Sequence, residues 1–426
     1  LKKDLFMSSE NVWDKGLVSR FRLDGNMGSP FHQRTSALAT TNWYFNWDLR
    51  MVPDEFVDFA EEVKAVRENV AMADMSPLTK IQITGKDATA AVNWLVTRDI
   101  NKMEVRQVLF TPLCTEEGKV ITDGLVFREE KNKYRITADP MFEWVYENCK
   151  KFDVEVEDVT DDFGILTLQG PKSINVLEDV TSTTWKDLDF SRLVRSKIAG
   201  VDVEIGRTGF TGELGYEILV KSIDAIAIWD AVEQAGKPYG IIPAGQYALD
   251  ILRIEAGLLI TGCDYTNAGP DPSGSHCKAS RHPDRLASPF EVNMGALVDL
   301  LKDDFIGKST LVKEKKNGIK VQMRGVEIDW HSVVDLYVGQ GIAPQISPKA
   351  DWEGSDIFID NEYVGWISST VWSTTLKKLI AFAHIKAKNA DIGNNVEINW
   401  RIKGGQDGKV RGEITKLPFV DHKRES

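Results

Sequence analysis

Gly206-Arg207-Thr208-Gly209-Phe210-Thr211-Gly212-Glu213-Leu214-Gly215-Tyr216-Glu217-Ile218 sets four glycines within ten residues. Glycines at that density allow tight turns and close backbone approach. Tyr216, Ile218 and Val220 then alternate as the apolar positions of a half-buried strand. Glu217 is out of phase with them, so it faces the opposite side, where solvent or a polar ligand has to satisfy its carboxylate. A glycine-rich turn that delivers one carboxylate on a strand is therefore the starting point for both fold and site.

Working outward, the segments on either side read as α+β units. Phe56, Phe59, Ala60, Val63, Val66 and Val70 have the spacing of an amphipathic helix, and Lys80 to Thr84 alternates as a strand followed by a helix from Ala88 to Val96. A hairpin is expected from Gln107–Cys114 and Val120–Phe127, turning at Thr115-Glu116-Glu117-Gly118, before a strand at Tyr134–Thr137 and a helix at Met141–Lys151. Strands at 152–156, 164–169, 198–205 and 215–220 and a helix over 225–235 repeat the pattern without a matching sequence period. A strong helix is predicted over Pro243–Leu259, a loop over Tyr265–Ser288 and a hinge at Glu314–Gly318. Short strands from Val321 to Thr415 then suit a small β-barrel.

The reading is thus a 1–54 strap rich in aromatics, a 55–313 region of two α+β modules divided near 157, and a 319–426 barrel. In the strap, the Trp43-Tyr44-Phe45-Asn46-Trp47 run is expected to bury itself or to wall a pocket. A length of 426 residues calls for two or three domains. A net charge of −12 without a compensating basic cluster argues against nucleic acid as partner. No apolar run approaches a membrane span, and Cys114, Cys149, Cys263 and Cys277 lack close pairing, so free thiols and a cytoplasmic setting are expected. The opening Leu1-Lys2-Lys3-Asp4 leads to the expectation that Met7 is the natural start.

Several motifs taken together resemble the aminomethyltransferase-like superfamily, whose members include the glycine cleavage T-protein and tetrahydrofolate-dependent demethylases. They are Val63-Lys64-Ala65-Val66-Arg67 with Asp74, Thr97-Arg98-Asp99-Ile100-Asn101-Lys102, Glu117-Gly118-Lys119-Val120-Ile121-Thr122-Asp123, and Leu168-Gln169-Gly170-Pro171-Lys172. The glycine-rich stretch continues the series, followed by Arg253-Ile254-Glu255-Ala256-Gly257, Gly262-Cys263-Asp264, Ser288-Pro289-Phe290-Glu291-Val292 and Asp304-Phe305-Ile306-Gly307-Lys308. The resemblance implies an α+β fold of two related domains plus a C-terminal β-barrel, a clover-leaf around a central channel that holds tetrahydrofolate.

By position it implies that Glu217 binds the pterin, whose N–H and exocyclic amine one ionised carboxylate can accept side by side. It makes Asp123 the catalytic residue beside the reactive nitrogens, with a pKa raised by partial burial. Phe110, Phe190, Phe210, Leu78 and Thr137 would line the folate site. Four departures stand out: Leu249 where the T-protein has an arginine, Ser76-Pro77 where it has a Ser-His pair, the long loop from 265 to 288, and the aromatic N-terminal strap in place of the T-protein's Gly-Trp-Glu segment. They lead to the expectation of a demethylase that moves a methyl group from a small O-, S- or N-methyl compound to tetrahydrofolate, rather than an enzyme acting on a lipoyl carrier. Tyr247, Leu249, Trp43, Tyr44 and Tyr265, with His276 and His282, are the expected substrate-side residues. An aminomethyltransferase giving 5,10-methylenetetrahydrofolate and a non-catalytic folate-binding protein are the alternatives. His276-Cys277 with His282 and Cys263 fits no common zinc spacing, and no metal is expected.

Overall fold

The computed structural model describes residues 27–48, 50–269, 285–421 and 423. Its first sheet has five antiparallel strands in the order Gln107–Cys114, Val120–Glu130, Lys133–Ala138, Thr79–Thr84 and Glu155–Asp158. Strand periodicity gives this sheet two different faces. Ile81, Ile83, Val126, Tyr134 and Ile136 pack with Val92 and Leu95 of the Ala88–Leu95 helix and Val145 of the Phe142–Cys149 helix. Leu125 is paired with Phe110 on one side and Thr137 on the other, and this row with Asp123 looks away from the helices.

The second sheet has six strands, in the order Leu193–Ile198, Val201–Gly206, Gly215–Lys221, Phe163–Gln169, Ala71–Asp74 and Ile242–Pro243. Tyr216, Ile218 and Val220 enter a core with Ile228, Trp229 and Val232 of the Ala225–Gly236 helix, so Glu217 faces the other way, as its phase requires. A single strand expected near 198–205 is in fact the hairpin Leu193–Ile198 and Val201–Gly206, turning through Ala199 and Gly200, both at positive φ. Ala71–Asp74 joins this later sheet although it precedes the first one in the chain. Edge contacts unite the two sheets: Val108 N–H donates to Ser191 O at 2.8 Å, and Leu193 N–H to Arg106 O at 3.0 Å.

The third unit is a closed barrel in the order Val321–Ile328, Lys378–Lys386, Glu362–Ser373, Ser355–Ile359, Asn395–Trp400 and Gly408–Thr415. It has its own core of Val326, Ile357, Ile385, Ile398 and Ile414, with the helix Trp330–Val338, which the sequence reading passed over, packed on it through Val333 and Tyr337. The expected hinge at Glu314–Gly318 is the end of the Lys308–Asn317 helix, with Gly318 at φ +81° as its stop. In the N-terminal segment, expected to be irregular, Met27–Gly28, Arg50–Pro53 and Tyr44–Trp47 form a small three-stranded sheet beside the helix His32–Leu38.

The helix Gln246–Glu255 is buried along its whole length and ties the units together through charge. Arg253, fully buried, donates to Asp250 Oδ1 at 2.8 Å and to Asp264 Oδ2. Asp264 also accepts from Ile260 N–H at 2.8 Å, from the Ser368 hydroxyl at 3.1 Å and from the Ser369 hydroxyl at 2.5 Å, both on a barrel strand. One turn on, Glu255 accepts from Arg67 Nη2 at 2.6 Å, Ser373 Oγ at 2.6 Å and Thr375 Oγ1 at 3.0 Å. Replacing Arg253 with Met keeps much of the volume but leaves Asp264 buried without its cation, which costs about 3–5 kcal/mol. Urea unfolding of Arg253→Met should show this loss in the midpoint, and a wild-type midpoint would refute the role given to the pair.

Candidate active site

Between the faces turned away from the helices lies a cavity of about 310 Å³. Its wall includes Asp123, Glu217, Phe210, Phe110, Phe190, Leu78, Thr137 and Leu249. Eight residues singled out from sequence, drawn from both sheets and a helix, therefore meet in one space. The wall also holds Arg98, Asp139, Gln246 and Trp352, none of which was chosen from sequence as a site residue, and Phe45 and Trp47, from the run expected to bury itself or to wall a pocket. Phe45 and Trp47 come from the N-terminal aromatic run, and Phe45 meets Trp352 edge-on at 5.8 Å.

The glycine-rich stretch reaches the cavity because of one glutamine. Gln169 donates to Thr167 Oγ1 at 2.7 Å and to Thr208 O at 3.3 Å, and it accepts from Thr211 Oγ1 at 2.9 Å. A Cβ added to Gly209 or Gly215 would lie 2.1 or 2.3 Å from that amide. Bare backbone at both positions is thus what lets the loop fold over Gln169 and present Phe210 and Glu217 together. Arg67 fixes the far end of the loop by donating to Thr211 O at 2.9 Å and to Glu213 Oε1 at 3.1 Å.

The two carboxyls differ in their partners. Glu217 is half-buried, and among the described residues its carboxylate has no hydrogen-bond partner. Burial pushes its pKa up to about 7, with the Arg135 charge opposing. Asp123 is also half-buried and receives the Tyr265 phenol on Oδ1. Burial pushes it up to about 7 as well; the Tyr265 hydrogen bond opposes this, and the negative charges of Asp139 and Asp264 add to it. Thr137 Oγ1 accepts from Arg135 Nη1 at 3.1 Å. Arg98 has one long hydrogen bond, from Nη1 to Phe110 O at 3.4 Å, and burial lowers its pKa.

Four substrate-side expectations need correction. Trp43, Tyr44 and Tyr247 lie outside the cavity, around a separate open hollow with Asp54 and Lys349, because strand alternation sends Phe45 and Trp47 inward and Tyr44 outward. Tyr265 spends its hydroxyl on Asp123 and Thr261 rather than on a ligand. His276, Cys277 and His282 lie outside the described residues. Cys263 is disulfide-bonded, contrary to the expectation of a free thiol there, whereas Cys114 and Cys149 are free and buried. Among the described residues no group of three or more His, Cys, Asp or Glu could hold a metal ion, and no helix is long and apolar enough to cross a membrane.

The fold and this wall define a class. Residues 30–270 match the GCVT N-terminal domain, and residues 340–421 match the glycine cleavage T-protein C-terminal barrel domain. The chain belongs to the glycine cleavage T-protein family. It is 34% identical over 358 residues to an aminomethyltransferase of Caldanaerobacter subterraneus, covering 83% of this chain and 86% of that protein. It is 33% identical over 375 residues to an aminomethyltransferase of Alkaliphilus metalliredigens, covering 86% and 91% respectively. In fold it is similar to the glycine cleavage system aminomethyltransferase T of Bartonella henselae, with a TM-score of 0.77 and 18% identity across 94% of this chain and 99% of that one. The chain is an enzyme of one-carbon transfer.

These relatives overturn the demethylase expectation and, with it, the small methylated partner. The departures behind it do not outweigh a shared name at one-third identity over more than four-fifths of the chain. Leu249 is one position in a wall that is mostly apolar.

The raised acids make a prediction for stability. In the unfolded chain both ionise near pH 4, whereas in the folded chain they hold protons until about 7. The native state therefore binds more protons between those values, and stability falls as pH rises through that window. Glu217→Gln removes its share, about 1–2 kcal/mol after allowance for a cavity that water can enter. The melting temperature of Glu217→Gln relative to wild type should rise from pH 5 to pH 8; an equal difference at both would show that Glu217 titrates normally.

Proposed function

We propose that this chain is an aminomethyltransferase of the glycine cleavage type, which moves the one-carbon unit of an aminomethyl donor to tetrahydrofolate and yields 5,10-methylenetetrahydrofolate. The observation that carries this reading is the Glu217 carboxylate, which among the described residues has no hydrogen-bond partner, on the wall of a cavity where Phe110, Phe190 and Phe210 also lie. A buried carboxylate in that position calls for a ligand with adjacent N–H donors. The amine-bearing edge of a reduced pterin supplies them, and a cavity of about 310 Å³ suits a bicyclic head group.

In this reading Glu217 anchors the pterin and must ionise to do so. Phe110, Phe190, Phe210 and Leu78 pack on the ring faces, and Thr137 lies beside them. Asp123, on the opposite sheet, takes the proton from the nitrogen that acquires the carbon. A carboxyl poised near 7 is suited to that exchange at neutral pH. Most of the acceleration is then positioning, as two reactants are held in contact inside a walled space. Name and fold of the relatives support this reading, and the cavity's chemistry supports tetrahydrofolate as the acceptor.

Incubation of the purified protein with tetrahydrofolate and an aminomethyl donor, read by mass, should give 5,10-methylenetetrahydrofolate; 5-methyltetrahydrofolate would overturn the proposal. Glu217→Gln should weaken tetrahydrofolate binding about tenfold with a smaller change in kcat, whereas Asp123→Asn should lower kcat at least about 100-fold with Kd nearly unchanged. The reverse pattern would exchange the two roles. Binding should also weaken as pH falls below about 7 in the wild type, because protonated Glu217 cannot accept both donors, and this dependence should be absent from Glu217→Gln.

A further inference from the structure

Behind Asp123 runs a file of hydroxyl groups that the proposed reaction has not yet used. Tyr265 donates to Asp123 Oδ1. The Tyr265 hydroxyl lies 2.8 Å from Thr261 Oγ1, which lies 3.0 Å from Thr122 Oγ1. Thr122 Oγ1 in turn stands 3.2 Å from Asp139 Oδ2, with the Asp123 carbonyl competing for it at 3.1 Å. The three linking residues are buried, at 3% exposure for Tyr265, 2% for Thr261 and 0% for Thr122, while Asp139 is half-buried.

We infer that Tyr265, Thr261 and Thr122 form a proton relay that carries the proton collected by Asp123 to Asp139, and from there to solvent. The inference rests on the aminomethyl-transfer reading for the proton's origin. Asp123 takes the proton that the folate nitrogen gives up as it bonds the donor's methylene carbon. The bond from that carbon to one leaving heteroatom breaks with the electron pair staying on the heteroatom; the second folate nitrogen then bonds the carbon as the bond to the amine breaks, and its proton goes to the departing amine, so two bonds form and two break. Once the Tyr265 hydroxyl has turned from Asp123 to Thr261, and that of Thr261 to Thr122, protonated Asp123 donates to the Tyr265 oxygen; each hydroxyl then passes on its own proton as it receives another, so the file reverses direction, no hydroxyl becomes charged, and Asp139 ends protonated. Loss of that proton to water, and rotation of the hydroxyls, restore the first state.

The geometry suits this use for two reasons. Each link is a hydroxyl, which can donate and accept at once, and no link is a side chain that is only a donor or only an acceptor. Asp139 lines the same cavity as Asp123, so the file joins two carboxyls of one wall through three hydroxyls. Other charged groups facing Asp123 are Asp264, neutralised by Arg253, and Glu217 and Arg98 on the cavity wall.

Tyr265→Phe and Thr261→Val break the file while keeping shape. Each should lower kcat at least about tenfold, leave the tetrahydrofolate Kd within about twofold, and turn a curved proton inventory in mixed light and heavy water into a linear one. Thr261→Ser, which keeps the hydroxyl, should restore the curvature, a result that a packing role for Thr261 would not give. Infrared titration of the ligand-free protein provides an arm independent of turnover. The carboxyl bands assigned by Asp123→Asn and Asp139→Asn should titrate as a coupled pair in the wild type and separately in Thr261→Val. Absence of 5,10-methylenetetrahydrofolate as product would defeat the proposed function and leave the infrared test to decide the relay. Wild-type inventory and coupling in both Tyr265→Phe and Thr261→Val would overturn it.

Discussion

Arg253 holds a full positive charge where no water reaches it, and much of the structure is arranged to satisfy that charge. Asp250 answers it from the same helix, and Asp264 from the turn that follows. Asp264 can do so only while Ser368 and Ser369 of the barrel complete its shell. Removing one member of such a set exposes the others to the cost of a buried, unmatched charge. The barrel is therefore docked by a requirement of charge as well as by apolar contact. Its docking has a chemical consequence, because Tyr265 is the next residue after Asp264 and its phenol sits on Asp123. The acid in the cavity is thus held, through two steps, by the arginine in the core.

A second tie does the same for the opposite wall. Arg67 lies between Glu255 on the buried helix and the carbonyl of Thr211 in the glycine-rich loop. The loop carries Phe210, and the strand it enters carries Glu217, so the ligand-facing residues of one sheet share an anchor with the acid of the other. This explains how a cavity bounded by three units can have a defined shape. Its walls are not independent loops; each is tied by a buried ion pair to the same helix.

Much of this was legible in the sequence where periodicity governs. The alternation at Tyr216, Ile218 and Val220 placed Glu217 on the open face, and the same rule explains Phe45 and Trp47 pointing in with Tyr44 pointing out. What was not legible depends on contacts between distant residues. Ala71–Asp74 reads as the end of a helix but completes a sheet whose other long strands lie some ninety residues and more downstream. The helix Trp330–Val338 is short and was hidden among barrel strands. Gln246 and Arg98 carry no local signal, since a polar residue at a helix start or just past a helix end is ordinarily solvated; only the folded wall shows them facing the cavity. Tyr265 was chosen as an aromatic near a loop, and its actual role with Asp123 required knowing that residues 142 positions apart are bonded.

Asp123 and Glu217 face a cavity they share with Arg98 and Asp139, neither is in an ion pair among the described residues, and protonation makes that tolerable. With both carboxyls raised to about 7, the cavity wall near neutral pH carries less negative charge than its composition suggests. A ligand that brings N–H donors to Glu217 stabilises the ionised form there and so commits the negative charge to that wall. Asp123, which already has a donor in Tyr265, then becomes the group whose proton count can change during a cycle. On the proposed reading one acid binds and the other exchanges because their partners differ, even though burial moves both in the same direction. Leu249 is consistent with this division: a guanidinium at that position would hold one or both acids ionised before any ligand arrived, whereas an apolar side chain leaves their charge to be set by what the cavity contains.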